Sequence, residues 1–63
     1  MNFYILTYLH NGAAQSYRSE AEAFAWAKAS QLGIPCGVKV EKVTIDLATC
    51  QLEFEDVTVL ALG

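Results

Sequence analysis

The sequence has few of the residue types from which catalytic and metal-binding sites are usually built. Its 63 residues include one histidine and two cysteines, and its four glycines are scattered instead of forming a phosphate-binding loop. Zinc takes about four ligands, and the positions of His10, Cys36 and Cys50 match no zinc-site spacing. We therefore predict that the protein is not an enzyme and has no catalytic residue, metal, cofactor or small-molecule substrate.

Basic residues are also scarce. Four Lys and Arg stand against seven Asp and Glu, which gives a net charge of −3 and a pI near 4.8. Because nucleic-acid backbones attract basic surfaces, direct nucleic-acid binding is disfavoured and the expected partner is another protein. The sequence shows no signal-peptide pattern, and no apolar run approaches the length of a membrane span. These absences predict a cytoplasmic protein without membrane contact.

The chain is short for a stable hydrophobic core, although 54% of its residues are hydrophobic. A domain of about 60 residues buries only about 60% of its unfolded surface, so its stability as a monomer is marginal. Two cysteines are too few for a disulfide framework. The sequence does not decide whether Cys36 and Cys50 form a single disulfide bridge, although two reduced thiols are favoured. We expect residues 1–63 to form one domain, with association as the remaining source of stability.

The first half of the sequence predicts a β-hairpin. Residues 2–10 are rich in aromatic and β-branched types, which are typical of a strand. Asn11-Gly12 favours a two-residue type I′ turn, because both positions of that turn need a positive φ. A second strand would follow over residues 13–18. That turn sets His10 opposite Ala13, Tyr8 opposite Gln15 and Leu6 opposite Tyr17.

A helix follows the hairpin. Ser19 is a typical N-cap and Glu22 completes a capping box, while Gly33 and Pro35 predict the C-terminal end. Trp26 lies on a flank beside small residues, where it either packs at the rim of the core or anchors a contact. The apolar face predicted from three-four spacing consists of Ala21, Phe24, Ala25, Ala29 and Leu32.

The second half predicts another hairpin. A four-residue turn at 47–50 pairs Ile45 with Leu52 and Val43 with Phe54, and sets Lys42 opposite Glu55. The alternation of apolar residues shifts by one position at 41–42 and again at 55–56, and a β-bulge is one way to produce such a shift. The apolar segment 57–62 is predicted either to form a buried strand or to pair across a dimer, and the sequence does not choose between them.

Together these elements predict an α+β fold with two layers. Its order is ββαββ, a four-stranded and mainly antiparallel sheet with one helix packed on one face. One helix covers only one face, yet the first strand is apolar on both. If Phe3 and Ile5 face the helix, an aromatic interface remains on the other face. Its members, with the flanking tryptophan, are Tyr4, Leu6, Tyr8, Tyr17 and Trp26. The opposite assignment of faces stays open.

These features lead to two functional hypotheses. The first is a small non-enzymatic protein–protein interaction module that forms a homodimer through the aromatic sheet face. The alternative is an acidic inhibitor or adaptor that blocks a basic site on a host protein. The chain resembles small phage and mobile-element proteins of that kind in size, acidity and layout, and this resemblance carries over no residue. Under this alternative, the acidic docking surface of the inhibitor would consist of Glu41, Glu53, Glu55 and Asp56.

Overall fold

The computed structural model describes residues 1–33 and 36–63. Its four strands form one antiparallel sheet, and the predicted α+β fold with a main helix packed on the sheet is confirmed. A second, short helix completes the order ββαββα. In chain order the elements are β1 (Asn2–Tyr8), β2 (Ala14–Tyr17), α1 (Glu20–Gln31), β3 (Val38–Asp46), β4 (Gln51–Asp56) and α2 (Thr58–Leu62). Across the sheet the order is β2-β1-β3-β4.

The β1–β2 hairpin forms with a register two residues from the predicted one. Tyr17 lies opposite Tyr4 instead of Leu6. The reason is the turn: Gly12 has a φ of 74°, but Asn11 is not in the positive-φ region, so a type I′ turn does not form. The Gly12 N–H instead donates to the Tyr8 carbonyl at 2.8 Å, which closes a longer turn. A shift of two residues keeps every side chain on its predicted face.

Helix α1 begins as predicted and ends differently. The Ser19 hydroxyl accepts a hydrogen bond from the Glu22 N–H at 3.3 Å, which confirms the N-cap. Gly33 does not take a left-handed conformation, and its N–H donates to the Ser30 carbonyl at 3.1 Å. The predicted stop at Pro35 lies outside the described residues.

The predicted apolar face of α1 is wrong. The buried residues are Ala23 and Ala27, with Phe24 half-buried, while Ala25 and Leu32 are exposed. Alanines occur all around this helix, so three-four spacing does not single out one face. The observed face is the one on which two small side chains one turn apart permit a close approach to the sheet.

The β3–β4 hairpin has the predicted register, including Val43 opposite Phe54 and Lys42 opposite Glu55. The proposed β-bulge is wrong, because β3 pairs with β1 and β4 without interruption across residues 41–42. The apolar pattern shifts because β3 buries different faces along its length. Val38 and Val40 point to the helix side, and Val43 points to the opposite side.

The core lies between the two helices and one part of the sheet. The C-terminal segment is neither a buried strand nor an extended pairing segment, since Thr58–Leu62 forms α2, which packs on α1 and β3. Within the described ranges neither helix packs on β4, and the link between them is the pair of hydrogen bonds from Thr58 to Asp56 where β4 leads into α2. The buried cluster consists of Tyr4, Leu6, Ala23, Ala27, Val38, Val40, Val57 and Ala61.

Candidate protein interface

The tyrosine face of the sheet is the face that the helices cover. Tyr4 and Leu6 are buried in the core cluster, and Tyr8 and Tyr17 are half-buried against it. The assignment of these four residues to an uncovered face is therefore wrong, and the opposite assignment holds. The physical reason is the alanine face of α1, which fits against the large side chains of β1. Tyr4 and Leu6 have no free surface to offer a partner.

The polar end of Tyr4 is satisfied inside the fold. Its hydroxyl donates to Glu20 Oε2 at 2.9 Å, and its ring meets Phe24 edge-on with centroids 6.0 Å apart. Burial, followed by the hydrogen bond to the Glu20 carboxylate, raises the pKa of Tyr4. Both contacts connect the first half of α1 to β1. The role of Tyr4 is therefore to stabilise the fold.

Tyr17 lies on the helix side of β2, and Trp26 lies on α1. The Tyr17 hydroxyl donates to Gln15 Oε1 at 2.7 Å. Burial raises the pKa of Tyr17, and the negative charges of ionised Tyr8 and of Glu22 raise it further. Trp26 is 52% exposed, which leaves its indole free for contact.

The predicted acidic docking surface is divided between the two faces of the sheet. Glu53 and Glu55 lie on the helix side of β4, whereas Glu41 and Asp56 lie opposite one another on the other side. Asp56 Oδ1 also accepts hydrogen bonds from the Thr58 hydroxyl at 2.6 Å and the Thr58 N–H at 2.9 Å. These bonds, the hydroxyl first, lower the pKa of Asp56. The four carboxylates do not form one surface, and one of them holds the start of α2.

The sheet face away from the helices, here called the open face, carries an apolar patch. Three residues from three strands stand directly opposite one another in a row: Phe3, Val43 and Phe54. Ile45 and Leu52 form the neighbouring pair. The apolar patch consists of Phe3, Ile5, Val43, Ile45, Leu52 and Phe54.

Burial within the apolar patch is uneven. Val43 is fully buried although it is outside the helix-side cluster, so the neighbouring side chains of the patch enclose it. Leu52 and Phe54 remain 56% and 58% exposed. The patch is therefore a second hydrophobic cluster that is buried at Val43 and exposed to solvent at its outer residues.

The sequence contains a signal for this patch. On β3 the apolar residues change faces at 41–42, from Val38 and Val40 to Val43 and Ile45. Because a strand alternates strictly, a change of phase without a bulge means that both faces are apolar, each over part of its length. The second face then needs its own cover, and no helix of the described residues supplies one.

The two cysteines and the other potential metal ligands do not come together in a site. Cys36 and Cys50 are both free and exposed, and they flank opposite ends of β3. Nine strand residues span about 30 Å, far beyond the Cα separation of about 7 Å that a disulfide permits. The bridge left open by the sequence is excluded within one chain. Among the described residues no group of His, Cys, Asp and Glu side chains could hold a metal ion, and no helix is long and apolar enough to cross a membrane.

A cleft of about 480 Å³ lies where β1 begins and β2 ends. Arg18 is the one charged side chain that lines it. The lining residues are Met1, Asn2, Phe3, Ser16, Tyr17 and Arg18. No protein-family model, curated protein or solved structure matches this chain, so its own surface carries the functional argument.

Proposed function

We propose that the chain is a non-enzymatic protein-interaction module that forms a homodimer by packing the open faces of two sheets together. The observation that carries this proposal is the apolar patch, whose outer residues Leu52 and Phe54 are more than half exposed around the fully buried Val43. Covering the patch completes a second hydrophobic layer. This replaces the predicted tyrosine interface and keeps the predicted homodimer.

The charges around the patch favour a second copy as the partner. The side chains of Lys39 and Glu41 lie on the open face, with Nζ and Oε2 3.8 Å apart. Asp56 and Arg18 add one charge of each sign at its margins. The four formal charges cancel, although the whole chain carries −3. Two open faces therefore approach without the repulsion that the net charge would otherwise cause.

Pairing through the edge of β4 is a less favourable way to bring two copies together. A two-fold axis normal to the sheet preserves its faces, so strands with full overlap must set Glu53 opposite Glu53 or opposite Glu55 of the second copy. Like charges directly opposite one another destabilise a sheet. The acidic residues of β4 thus oppose association of two copies through this edge.

The size of the patch predicts the strength of the dimer. Three strands about 4.8 Å apart and five residues at about 3.3 Å give a patch of roughly 15 by 17 Å. This area is much smaller than the roughly 800 Å² that each partner usually buries in a stable interface. An interface of that usual size would take nearly a fifth of the 4271 Å² accessible surface of this chain. We therefore expect a reversible dimer whose population depends on concentration.

Light scattering over a concentration series tests the proposal. The wild-type mass should rise from 6.9 kDa towards 2 × 6.9 = 13.8 kDa with concentration. Leu52→Gln should shift this rise to concentrations at least tenfold higher, because it removes an apolar side chain from the patch. Leu60→Gln is the matched control, since Leu60 is 69% exposed on α2, on the helix side. A wild-type protein that stays at 6.9 kDa at millimolar concentration, or equal dissociation of both variants, would contradict the proposal.

The alternative function, an acidic inhibitor of a basic host surface, gains no comparable support. It needs Glu41, Glu53, Glu55 and Asp56 on one surface, and the sheet divides them between two faces. Lys42 also lies opposite Glu55 and offsets part of the charge on the helix side.

A further inference from the structure

The two edges of the sheet differ in how they are protected. Edge strands usually carry charge or proline, which discourages pairing with another chain. β4 carries three acidic residues over Gln51–Asp56. β2 consists of Ala14–Tyr17 and has neither a charge nor a proline. The edge formed by β2 is therefore the one that is open to strand addition.

The free hydrogen-bonding groups of β2 follow from its register. The Tyr8 N–H donates to the Ala13 carbonyl at 2.7 Å. In an antiparallel pair the bonded positions alternate, so Gln15 and Tyr17 direct their backbone groups towards β1. Ala14 and Ser16 direct theirs away from β1. These outward N–H and C=O groups are the template for one more strand.

On the helix side, the periodicity of α1 directs Trp26 towards this edge. Helix α1 contacts β2, and across that contact the negative charge of Glu22 contributes to the raised pKa of Tyr17. Trp26 follows Glu22 by four residues, about one helical turn, so it lies on the same β2-facing side of α1. Its half-exposed indole is available to an apolar side chain of an added strand.

The cleft at the end of β2 offers a second, different contact, and Phe3, Ser16 and Arg18 of its lining lie towards the open face. Phe3 gives the cleft an apolar wall, and Arg18 gives it a positive charge. Ser16, whose backbone groups point away from β1, also lines the cleft. A carboxylate on an added strand is the complementary side chain for a guanidinium at this position.

We propose that the β2 edge binds an extended segment of a partner protein as a fifth strand. Because side chains alternate along a strand, one residue of that segment contacts Trp26 and an adjacent residue, Asp or Glu, enters the cleft beside Arg18. A second copy fits this edge less well. Its β2 has no carboxylate for the cleft, and its acidic edge strand β4 could pair with β2 only head to tail, which adds copies without closing into a dimer. The proposal does not rest on the homodimer. Leu52→Gln, which is designed to weaken the homodimer, leaves the β2 edge unchanged, so peptide binding can be measured in that variant as well.

Selection from a random decapeptide display library tests this edge. Enriched peptides should contain an apolar residue next to Asp or Glu. Ser16→Pro should weaken their binding at least tenfold, because it removes an outward N–H without breaking the β1 ladder. Ser16→Ala keeps that N–H and should bind normally. Circular dichroism checks that Ser16→Pro is folded.

A charge reversal provides an independent test. Arg18→Glu should weaken the enriched peptides at least tenfold, and exchanging the peptide acid for Lys should restore binding. The proposal is overturned if no peptide is enriched, if binding ignores Ser16→Pro in the folded protein, or if the charge exchange restores nothing. It is also overturned if Ser16→Pro abolishes self-association, which would make a second copy the occupant of the edge. Failure of the homodimer would appear separately in the light-scattering series.

Discussion

Replacing Ala27 by leucine tests how α1 sits on the sheet. Ala27 is fully buried in the core cluster, which also contains Tyr4 and Leu6 of β1. Leucine is nearly as good a helix former as alanine, so a loss of stability would come from packing and not from helix propensity. Ala29 lies on the exposed side of the same helix and provides the matched control.

The expected effect is large relative to the whole stability of the chain. Inserting extra methylene groups into a packed core costs about 1–3 kcal/mol. A chain of 63 residues has a free energy of unfolding of roughly 3–9 kcal/mol, at about 0.05–0.15 kcal/mol per residue. Ala27→Leu should therefore remove between about a sixth and about a half of the stability at the middle of that range. Ala29→Leu should change it by less than about 0.5 kcal/mol.

Urea denaturation followed by circular dichroism measures this difference at one fixed protein concentration. With a slope near 1 kcal/mol per molar urea, the Ala27→Leu midpoint should fall by about 1–3 M. The sequence pattern alone favoured Ala25 and Ala29 as buried, and so predicts the reverse ranking of the two variants. A stable Ala27→Leu protein beside a destabilised Ala29→Leu protein would refute the helix packing described above.

Two further predictions concern the turn and the tyrosines. Cys50 holds a positive φ of 58° in the β3–β4 turn, so Cys50→Gly should raise the free energy of unfolding by about 0.5–1 kcal/mol, while Cys50→Ala should not. Thermal or urea midpoints of the two variants check this, and equal stabilities would contradict it. Burial raises the pKa of Tyr4 above its usual 10.0, so above pH 10 the unfolded chain releases a proton that the folded chain retains, and stability falls with rising pH. Tyr4→Phe should flatten this decline in urea midpoints measured from pH 8 to 11, and an unchanged slope would count against the buried phenol.

Local signals in the sequence predicted local structure well. The Ser19 cap involves residues three apart, and the β3–β4 register depends on a four-residue turn and on cross-strand pairs such as Val43 with Phe54. Each of these is decided within a few residues. The β1–β2 register failed by two residues because Asn11-Gly12 is compatible with more than one turn length, and the longer turn needs a positive φ only at Gly12.

The candidate interface required the assembled fold. From the sequence, β1 is apolar on both sides, and either side was a possible contact for the helix. The choice depends on shape: Ala23 and Ala27 admit Tyr4 and Leu6 closely, and the Tyr4 hydroxyl finds Glu20. Hydropathy records how apolar a residue is and not how closely two surfaces can approach.

The sequence by itself determined the types of the first five elements, the mixed α+β class and the expectation that one helix covers only one face of the sheet, but it did not predict α2. These follow from periodicity, capping and the length of the chain, which act locally or as simple sums. Only the tertiary structure decided which face is covered, that the four carboxylates of the predicted docking surface lie on two faces of the sheet, and that Phe54 and Leu52 are exposed while Tyr4 is buried. Packing of side chains from distant segments sets these outcomes, because burial depends on the fit between surfaces that come together only when the sheet and both helices assemble.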